Sequence, residues 1–271
     1  DAAPEVGAVE VNTPHGLVHR AQLGERERGA DERGGDAADF QLDADSGDGI
    51  AQDLQVVERQ LDLAVEHIGD RNERGIGSVG AGVGARAGVL KGGVGTASVL
   101  LDSGVTVGAL VVVNSAGDVV DPDTGLPWLA YQIEEFGLVP PPADQLAGYA
   151  DRHRELSPLN TTIAVVATDA ALSKAGCRRV AVAAQDGLAR TIRPCHTPRD
   201  GDTVFALATG AVEVNPDPTT PASMSPEVPL LTEVGAAAAD CLARAVLVAL
   251  LAAESVAGIP TYRGLLPGAF E

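Results

Sequence analysis

The stretch Asn160-Thr161-Thr162 places an amide and two hydroxyl groups directly before the apolar run 163–167 (IAVVA). Two interpretations fit: a polar turn that leads into a buried strand, or a peptide bond that the chain cuts in itself with a threonine hydroxyl as nucleophile. A hydroxyl is a poor nucleophile at neutral pH and needs a base within hydrogen-bond reach. A cut directly before a threonine would create an α-amine on that residue. The ordinary pKa of such an amine, about 7.7–8.0, suits it as the base.

Lys91 is the single lysine of the glycine-rich segment 80–98 (GAGVGARAGVLKGGVGTAS). We expect a lysine in this run to lose part of its solvent, which shifts the pKa of its amine and favours a catalytic role. The segment also contains a loose Gly82-x-Gly84-x-x-Ala87 match to a phosphate-binding loop. That match is weak, because no apolar strand precedes it and no acidic residue follows at the spacing that a ribose needs. Closely packed glycine backbone is the simpler interpretation.

Asp200 and Asp202 stand two residues apart before the apolar run 203–209. An extended chain would place both carboxylates on one side, although Asp-Gly-Asp is also a common turn sequence. His196 nearby raises the alternative of a metal site. We interpret His196 as structural and predict no metal and no organic cofactor.

The elements that must position these residues follow from apolar periodicity. Strands are predicted over 105–113, 163–168 and 203–209, with a continuation of the first over 118–120 after the turn 114–117; helices are predicted over 170–192, capped by Asp169, and over 226–256. One stripe of the first helix is apolar: Cys177, Val180, Ala184, Leu188 and Ile192. Strands that alternate with helices indicate sheets covered by helices. The apolar stretch 235–258 is interrupted by charged residues, so we predict no membrane span there.

The chain has 271 residues and a formal net charge of −19. This charge argues against nucleic-acid and anionic-membrane partners, which repel an acidic surface. Its three cysteines have no CxxC spacing, which disfavours both a disulfide framework and a zinc site and suits a reducing compartment. The printed sequence opens without a basic-then-apolar leader, and we expect a cytoplasmic protein.

Composition changes near residue 75. Residues 1–74 hold 18 acidic and 7 basic residues, while 75–271 hold the other 20 acidic and 12 basic residues in a much longer stretch. We interpret 1–74 as an atypical charged segment, either disordered or read from a shifted frame, with its best helical pattern at 50–68. Residues 75–271 have the pattern of a packed domain of strands and helices.

Four blocks resemble, in this order, the DmpA-type aminopeptidases and the related nylon-oligomer hydrolases. They are VGAGVGARAGVLKGGVGTAS, SGVTVGALVVVNSAGDVVDP, LNTTIAVVATDAAL and IRPCHTPRDGDTVFALATG. The resemblance covers about residues 75–271. It implies an α+β protein with a four-layer αββα sandwich, a self-processing N-terminal-nucleophile hydrolase. The segment 1–74 departs from the family, whose members have sandwich elements there.

Carried onto this chain, the resemblance places the cut between Asn160 and Thr161 and makes Thr161 the nucleophile, with Thr162 as the alternative if the cut slips by one residue. Four further residues match positions that the family uses around the nucleophile: Lys91, Asn114, Asp200 and Asp202. Lys91 would keep the new amine neutral or orient the hydroxyl. Asn114 would donate its amide N–H to the oxyanion, unless it only caps a turn. The two aspartates would hold Lys91 or the amine.

The expected function is therefore an aminopeptidase or amidase that acts on a small peptide or amide, assembled as a homo-oligomer of processed chains. The sequence does not select the substrate. One alternative is a non-catalytic relative that serves in binding or assembly. Another, less favoured, is a nucleotide-binding protein that uses the loop 80–95.

Overall fold

The computed structural model describes residues 75–129, 133–152, 160–216 and 218–270, together with the backbone of 10–12. Its strands are β1 Glu10–Asn12, β2 Arg86–Ala87, β3 Leu90–Lys91, β4 Gly93–Leu100, β5 Thr106–Val113, β6 Ile163–Ala170 and β7 Thr203–Val212. Its helices are α1 Ala143–Arg152, α2 Lys174–Thr191, α3 Val228–Leu251 and α4 Tyr262–Leu265, with 3₁₀ turns at Gly80–Gly82 and Pro267–Phe270. These mixed elements confirm the predicted α+β class.

Five strands form one sheet in the order β1-β7-β6-β5-β4. β4, β5 and β6 pair antiparallel, with Val111 opposite both Gly95 and Ala164. β6 and β7 are parallel, so the chain must cross over between them, and α2 is that crossover. β2 and β3 form a separate two-stranded hairpin.

Helices α2 and α3 pack against each other and against the sheet. The contact between α3 and β4 is close because Gly95 has no side chain: a Cβ there would lie 1.9 Å from the Ala245 carbonyl oxygen. Gly187 of α2 approaches α3 in the same way, with a Cβ position 2.4 Å from the Ala239 oxygen. Small residues therefore let the backbones of both helices and the sheet form one dense core.

Helix α3 is, in the part of the chain that the structure describes, the one helix long and apolar enough to cross a membrane, and 72% of its apolar window is buried within the protein. The core explains its composition, because residues such as Leu242 and Leu247 are fully buried against neighbouring elements. This observation agrees with the prediction of a core helix.

Several predicted elements need correction. Helix α2 begins at Lys174 rather than residue 170, and its cap is Ser173, whose hydroxyl accepts the Gly176 N–H at 3.1 Å. Asp169 was predicted as this cap; it instead lies in β6 and accepts the Thr106 N–H at 2.7 Å. Residues 118–120 do not form a regular strand but only isolated bridges. The helix predicted over 226–256 is shorter at both ends.

The glycine-rich segment contains β2, β3 and most of β4, none of which the apolar pattern predicted. Of the predicted αββα sandwich, the described residues form one five-stranded sheet packed against helices α2 and α3, and a separate two-stranded hairpin of β2 and β3. The helix predicted at 50–68 lies outside them. Within 1–74, the backbone of 10–12 pairs antiparallel with 204–206 at the edge of the sheet.

Candidate active site

The sheet topology brings the predicted site residues to one end of the sheet. β5 runs antiparallel to β6, and β6 runs parallel to β7, so the end of β5 meets the beginnings of β6 and β7. Asn114 directly follows β5, Thr161 lies two residues before β6, and Asp202 directly precedes β7. Because β4 starts opposite the end of β5, Lys91 also lies at this end.

The segment Asn160-Thr161-Thr162 is held by both neighbouring strands. On one side, the Thr161 N–H donates to the Asn114 carbonyl at 2.8 Å. On the other, the Thr162 N–H donates to Asp202 Oδ1 at 2.9 Å, and its carbonyl accepts from the Thr203 N–H at 2.9 Å. These bonds extend the sheet through the peptide bond that is predicted to be cut.

The Asn160 carbonyl oxygen accepts two hydrogen bonds. The Thr161 hydroxyl donates to it at 2.7 Å, and the Gly201 N–H donates to it at 3.2 Å. A backbone N–H on a carbonyl oxygen stabilises the negative charge that develops there when a nucleophile attacks the carbon. A Cβ on Gly201 would lie 2.9 Å from Thr161 Oγ1, so the glycine leaves room for this hydroxyl.

The two threonine hydroxyls differ in their surroundings. Thr161 is partly exposed, and its hydroxyl contacts the preceding carbonyl. Thr162 is fully buried, and its Oγ1 has no hydrogen-bond partner among the residues that the structure describes. Only the Thr161 hydroxyl therefore combines a contact to a peptide carbonyl with access from solvent.

The Asn114 side chain has a defined orientation. Its Oδ1 accepts the Arg86 N–H at 3.0 Å, and a backbone N–H requires an acceptor, so the oxygen must be on this side. The Nδ2 amino group therefore points away from Arg86. In this orientation Asn114 presents N–H donors, as an oxyanion site needs.

Lys91 is fully buried, and its ammonium donates to three backbone carbonyl oxygens: Gly82 at 2.5 Å, Ala85 at 3.0 Å and Gly92 at 2.9 Å. Three acceptors match the three N–H donors of the charged amine. Burial lowers the pKa of Lys91 to about 8. Among the residues that the structure describes, these carbonyls and no carboxylate contact the Lys91 ammonium.

The same geometry argues against the nucleotide-binding alternative. The glycine-rich segment leads into the β2–β3 hairpin and strand β4, whereas a phosphate loop leads into a helix N-terminus. The carbonyl oxygens of Gly82, Ala85 and Gly92 surround the lysine ammonium, and their negative ends would repel a phosphate.

Lys91 and Asn114 contact the two ends of a single peptide group. The carbonyl of Ala85 accepts from Lys91 Nζ, and the N–H of the next residue, Arg86, donates to Asn114 Oδ1. A charge on one end of a hydrogen-bonded peptide polarises it and strengthens the bond at the other end. Lys91 thus reaches the candidate site through a peptide rather than by direct contact.

The two aspartates were predicted to hold Lys91 or the new amine. In the intact chain they bind backbone N–H groups rather than Lys91. Asp200 Oδ1 accepts the Ala116 N–H at 3.0 Å, and its Oδ2 accepts the Thr197 hydroxyl at 2.6 Å. Asp202 accepts the Thr162 N–H. Both carboxylates therefore position the loops on either side of Thr161.

Asp202 also belongs to a cluster with Cys195 and His196. Its Oδ2 lies 2.9 Å from His196 Nδ1 and 3.7 Å from Cys195 Sγ. Burial opposes ionisation of Asp202, but the hydrogen bonds from His196 and the Thr162 N–H outweigh it, so the Asp202 pKa lies below its ordinary value. The bond to Asp202 raises the pKa of His196. Burial, together with the Asp202 charge, raises the pKa of the Cys195 thiol to about 12.

Sequence reasoning missed the contributions of Gly201, the Ala85–Arg86 peptide and Cys195. Two of them act through backbone atoms, which have no residue-type signal. The Cys195 thiol did have a signal in the sequence, since the Cys195-His196 pair precedes Asp202 closely, with His196 six residues before it. Without a partner spacing such as CxxC, however, that pair alone did not indicate a site.

The sequence model of peptidase family S58 matches residues 37–263. The chain belongs to peptidase family S58. The S58 match includes every residue of the candidate site and begins inside the segment 1–74. The resemblance drawn from the four sequence blocks is thereby confirmed.

Individual S58-related proteins match at different levels. An uncharacterized aminopeptidase of Mycobacterium leprae is 72% identical over 195 residues, which are 72% of this chain and 54% of that protein. A 6-aminohexanoate-oligomer endohydrolase of Paenarthrobacter ureafaciens is 34% identical over 145 residues, 51% of this chain and 36% of that protein. A solved β-aminopeptidase of a Burkholderia species is 30% identical and aligns with 70% of this chain and 51% of its own, with a TM-score of 0.46. The chain spans a little over half of the length of the M. leprae relative.

Proposed function

We propose that this S58 chain is a self-processing amide hydrolase of the aminopeptidase or amidase type, which cuts its Asn160–Thr161 bond and then uses Thr161 as nucleophile. The observation that carries the proposal is the arrangement around the Asn160 carbonyl, where the Thr161 hydroxyl and the Gly201 N–H both contact the oxygen. One group is the nucleophile for the cut and the other is a donor for the oxyanion.

In the proposed cut, Thr161 Oγ1 forms a bond to the Asn160 carbonyl carbon while Gly201 stabilises the charge on the oxygen. The hydroxyl proton passes to the Thr161 nitrogen, and the carbon–nitrogen bond breaks. The product is an ester between the Asn160 acyl group and the Thr161 side chain. Water then hydrolyses the ester to a carboxylate on Asn160 and a free hydroxyl on Thr161.

After the cut, the Thr161 amine is the proposed base for its own hydroxyl. The carbonyl of Asn114, which accepts the Thr161 N–H at 2.8 Å in the intact chain, is in position to keep the amine beside β5. The substrate carbonyl would then be attacked by Thr161 Oγ1, and Asn114 Nδ2 would donate to its oxyanion. Such a donor is typically worth about 10²–10³ in kcat.

Lys91, Asp200 and Asp202 are proposed as positioning residues. Lys91 orients Asn114 through the Ala85–Arg86 peptide. Asp202 fixes the backbone on the far side of Thr161 through the Thr162 N–H, and Asp200 fixes the loop after Asn114 through the Ala116 N–H. The burial of Thr162 supports Thr161 rather than Thr162 as nucleophile.

The substrate is proposed to be a small peptide or amide, in keeping with the aminopeptidase name of the M. leprae relative and the oligoamide named for the P. ureafaciens enzyme. The mechanism uses a nucleophile and a base on one residue, and the proposal includes no cofactor. We also propose that the processed chains form a homo-oligomer, that the protein is cytoplasmic and that it has no nucleic-acid or membrane partner.

The test is the intact mass of the purified protein beside two variants. Thr161→Val keeps the branched shape but has no hydroxyl, and Thr161→Ser keeps the hydroxyl. We expect the parent and the serine variant to give chains of 160 and 111 residues, which scale from 27.5 kDa to about 16 and about 11 kDa, and the valine variant to stay whole. An intact parent chain would contradict the proposal and favour a non-catalytic relative. Cleavage in the valine variant would place the nucleophile elsewhere.

A further inference from the structure

Cys195, His196 and Asp202 bring three different metal-binding groups together beside the candidate active site. The Cys195 sulfur, a His196 ring nitrogen and an Asp202 carboxylate oxygen all lie within 4.8 Å of one another. The proposed hydrolysis uses neither the thiol nor the imidazole. Their convergence on one carboxylate oxygen therefore needs a separate explanation.

The backbone makes this convergence possible. Side chains of consecutive residues in an extended chain point to opposite sides, so Cys195 and His196 would ordinarily diverge. His196 instead has φ of +55°, in the left-handed region that non-glycine residues rarely adopt. This turn directs the ring to Asp202, where Nδ1 lies 2.9 Å from Oδ2, while the thiol lies 3.7 Å from the same oxygen. Strained conformations of this kind cluster at functional sites.

Against the expectation from the sequence of a structural His196 and no metal, we propose that Cys195, His196 and Asp202 form a site for a single Zn²⁺ ion, with water as the fourth ligand. Zinc takes thiolate, imidazole and carboxylate ligands in tetrahedral geometry, with bonds of about 2.0–2.3 Å that separate neighbouring ligand atoms by roughly 3.3–3.6 Å. The observed 2.9 and 3.7 Å separations lie close to that range. The distance between His196 Nδ1 and Asp202 Oδ2 must widen by about 0.4 Å to admit the ion, and the His196 ring lies at the surface.

Binding would replace the contacts among these three side chains by bonds to the metal. The Cys195 thiol gives its proton to solvent, and the imidazole coordinates in its neutral form. Asp202 Oδ1 continues to accept the Thr162 N–H, because the metal uses only Oδ2. The same carboxylate would thus join the metal to the backbone directly after Thr161, which places the zinc where it can influence the candidate active site without contacting the nucleophile.

Co²⁺ is the direct probe, because it replaces zinc and gives a thiolate-to-metal charge-transfer absorption and tetrahedral visible bands. The full chain carrying Thr161→Val is stripped with EDTA, freed of the chelator and titrated with Co²⁺ and then with Zn²⁺. We expect one equivalent of Co²⁺ to bind with both absorptions and Zn²⁺ to displace it. The Co²⁺ absorption does not depend on self-cleavage or hydrolysis, so the result tests the zinc site separately from the proposed function.

Matched variants locate the site. Cys195→Ser should remove the charge-transfer band. Both Cys195→Ser and His196→Ala remove a direct ligand, so each should weaken binding by more than the roughly 10–100-fold that loss of an outer-shell partner costs. Cys177→Ala, which removes a cysteine of α2 outside the cluster, should bind Co²⁺ as the parent does. His196 lies at the surface, so its variant tests the site even if the cysteine variant folds poorly. Parent protein without a thiolate band, or His196→Ala with parental affinity, would overturn the proposal.

Discussion

Lys91 and Asn114 contact opposite ends of the same peptide group, the one that joins Ala85 to Arg86. The lysine ammonium binds the carbonyl, and the asparagine amide oxygen binds the N–H. This relationship connects a fully buried charge to a side chain beside Thr161, and it gives the lysine a role that its position in the sequence does not reveal. Because Lys91 is buried, its protonation changes the free energy of unfolding, so its protonation state can be measured through stability.

The first prediction concerns the pH dependence that Lys91 imposes on stability. Its pKa is about 8 in the folded protein and about 10.4 in an unfolded chain. The charged form is therefore disfavoured by folding, and this cost is present below pH 8 and disappears as the pH rises towards 10.4. The free energy of unfolding of the parent, relative to Lys91→Met, should rise by about 1 kcal/mol per pH unit in that window. Urea titrations of both proteins carrying Thr161→Val measure it.

A constant difference between parent and Lys91→Met from pH 8 to 10.4 would show that the three carbonyls restore the ordinary pKa. If the free energy of unfolding of the parent relative to Lys91→Met instead fell as the pH rose, the site would favour the ammonium over the neutral amine.

The second prediction concerns Gly201. A methyl group here would lie 2.9 Å from Thr161 Oγ1, so Gly201→Ala should force the hydroxyl away from the Asn160 carbonyl. A misplacement of about 1 Å in the reacting geometry can slow a reaction by about 100-fold. We expect self-cleavage, followed by intact mass over time, to slow by roughly 10–100-fold while the circular dichroism spectrum is retained.

Gly148→Ala is the matched control, because nothing lies within 4 Å of its added Cβ and it stands in helix α1. It should process at the parental rate. Parental cleavage by Gly201→Ala would show that the contact between Thr161 and Asn160 is not the reacting geometry.

The third prediction separates the two ends of the Asn114 amide. Asn114→Asp keeps an oxygen for the Arg86 N–H but has no amino group, so it should retain the local fold and lose the oxyanion donor. On a panel of chromogenic aminoacyl anilides, kcat should fall by about 10²–10³. Self-cleavage should continue, since the proposed donor for that step is Gly201.

Asn114→Ala removes both groups and serves for comparison. If it reduces kcat no further than Asn114→Asp, the donor is the group that matters for hydrolysis. Full activity in the aspartate variant would exclude Asn114 Nδ2 from the oxyanion site.

The fourth prediction concerns the pair of His196 and Asp202. The His196 pKa is raised by its bond to Asp202, so its contribution to stability is complete below about pH 6.5 and is lost as the pH rises through the folded value above that. The Asp202 pKa is lowered, so the carboxylate's contribution is lost as the pH falls through its folded value, below the ordinary range. The Tm difference between metal-free parent and His196→Ala should therefore be largest near pH 5–6 and shrink above pH 7.

Arg190→Ala is the control, because it removes an exposed ion pair with Asp240 that contains no histidine and lies outside the His196–Asp202 pair. Its Tm difference from the parent should not vary between pH 5 and 9. An equally flat profile for His196→Ala would show that the histidine does not titrate against Asp202.

The predicted elements with continuous apolar character were placed well. The predicted apolar runs lie in β5, β6 and β7, and the predicted stripe lies in helix α2 and at Ile192, which follows its last residue. Buried positions need apolar side chains whatever element packs against them. Strand β4 was not predicted because glycines occupy its first and third positions. Gly93 lies close to the backbone of Gly77, and Gly95 lies close to helix α3 at Ala245. Helix α2 begins late because Asp169 is bound across the sheet to Thr106, a partner 63 residues away.

The sequence by itself determined the family, the principal strands and helices and the residue types of the candidate site, since these depend on local pattern and on motifs of adjacent residues. Tertiary structure alone decided what each site residue contacts. Lys91 binds carbonyls instead of a carboxylate, the aspartates hold backbone N–H groups, and Cys195 joins His196 and Asp202. The physical reason is that hydrogen bonds and ligand geometry depend on distances between backbone atoms of different strands, and those distances exist only once the sheet has formed.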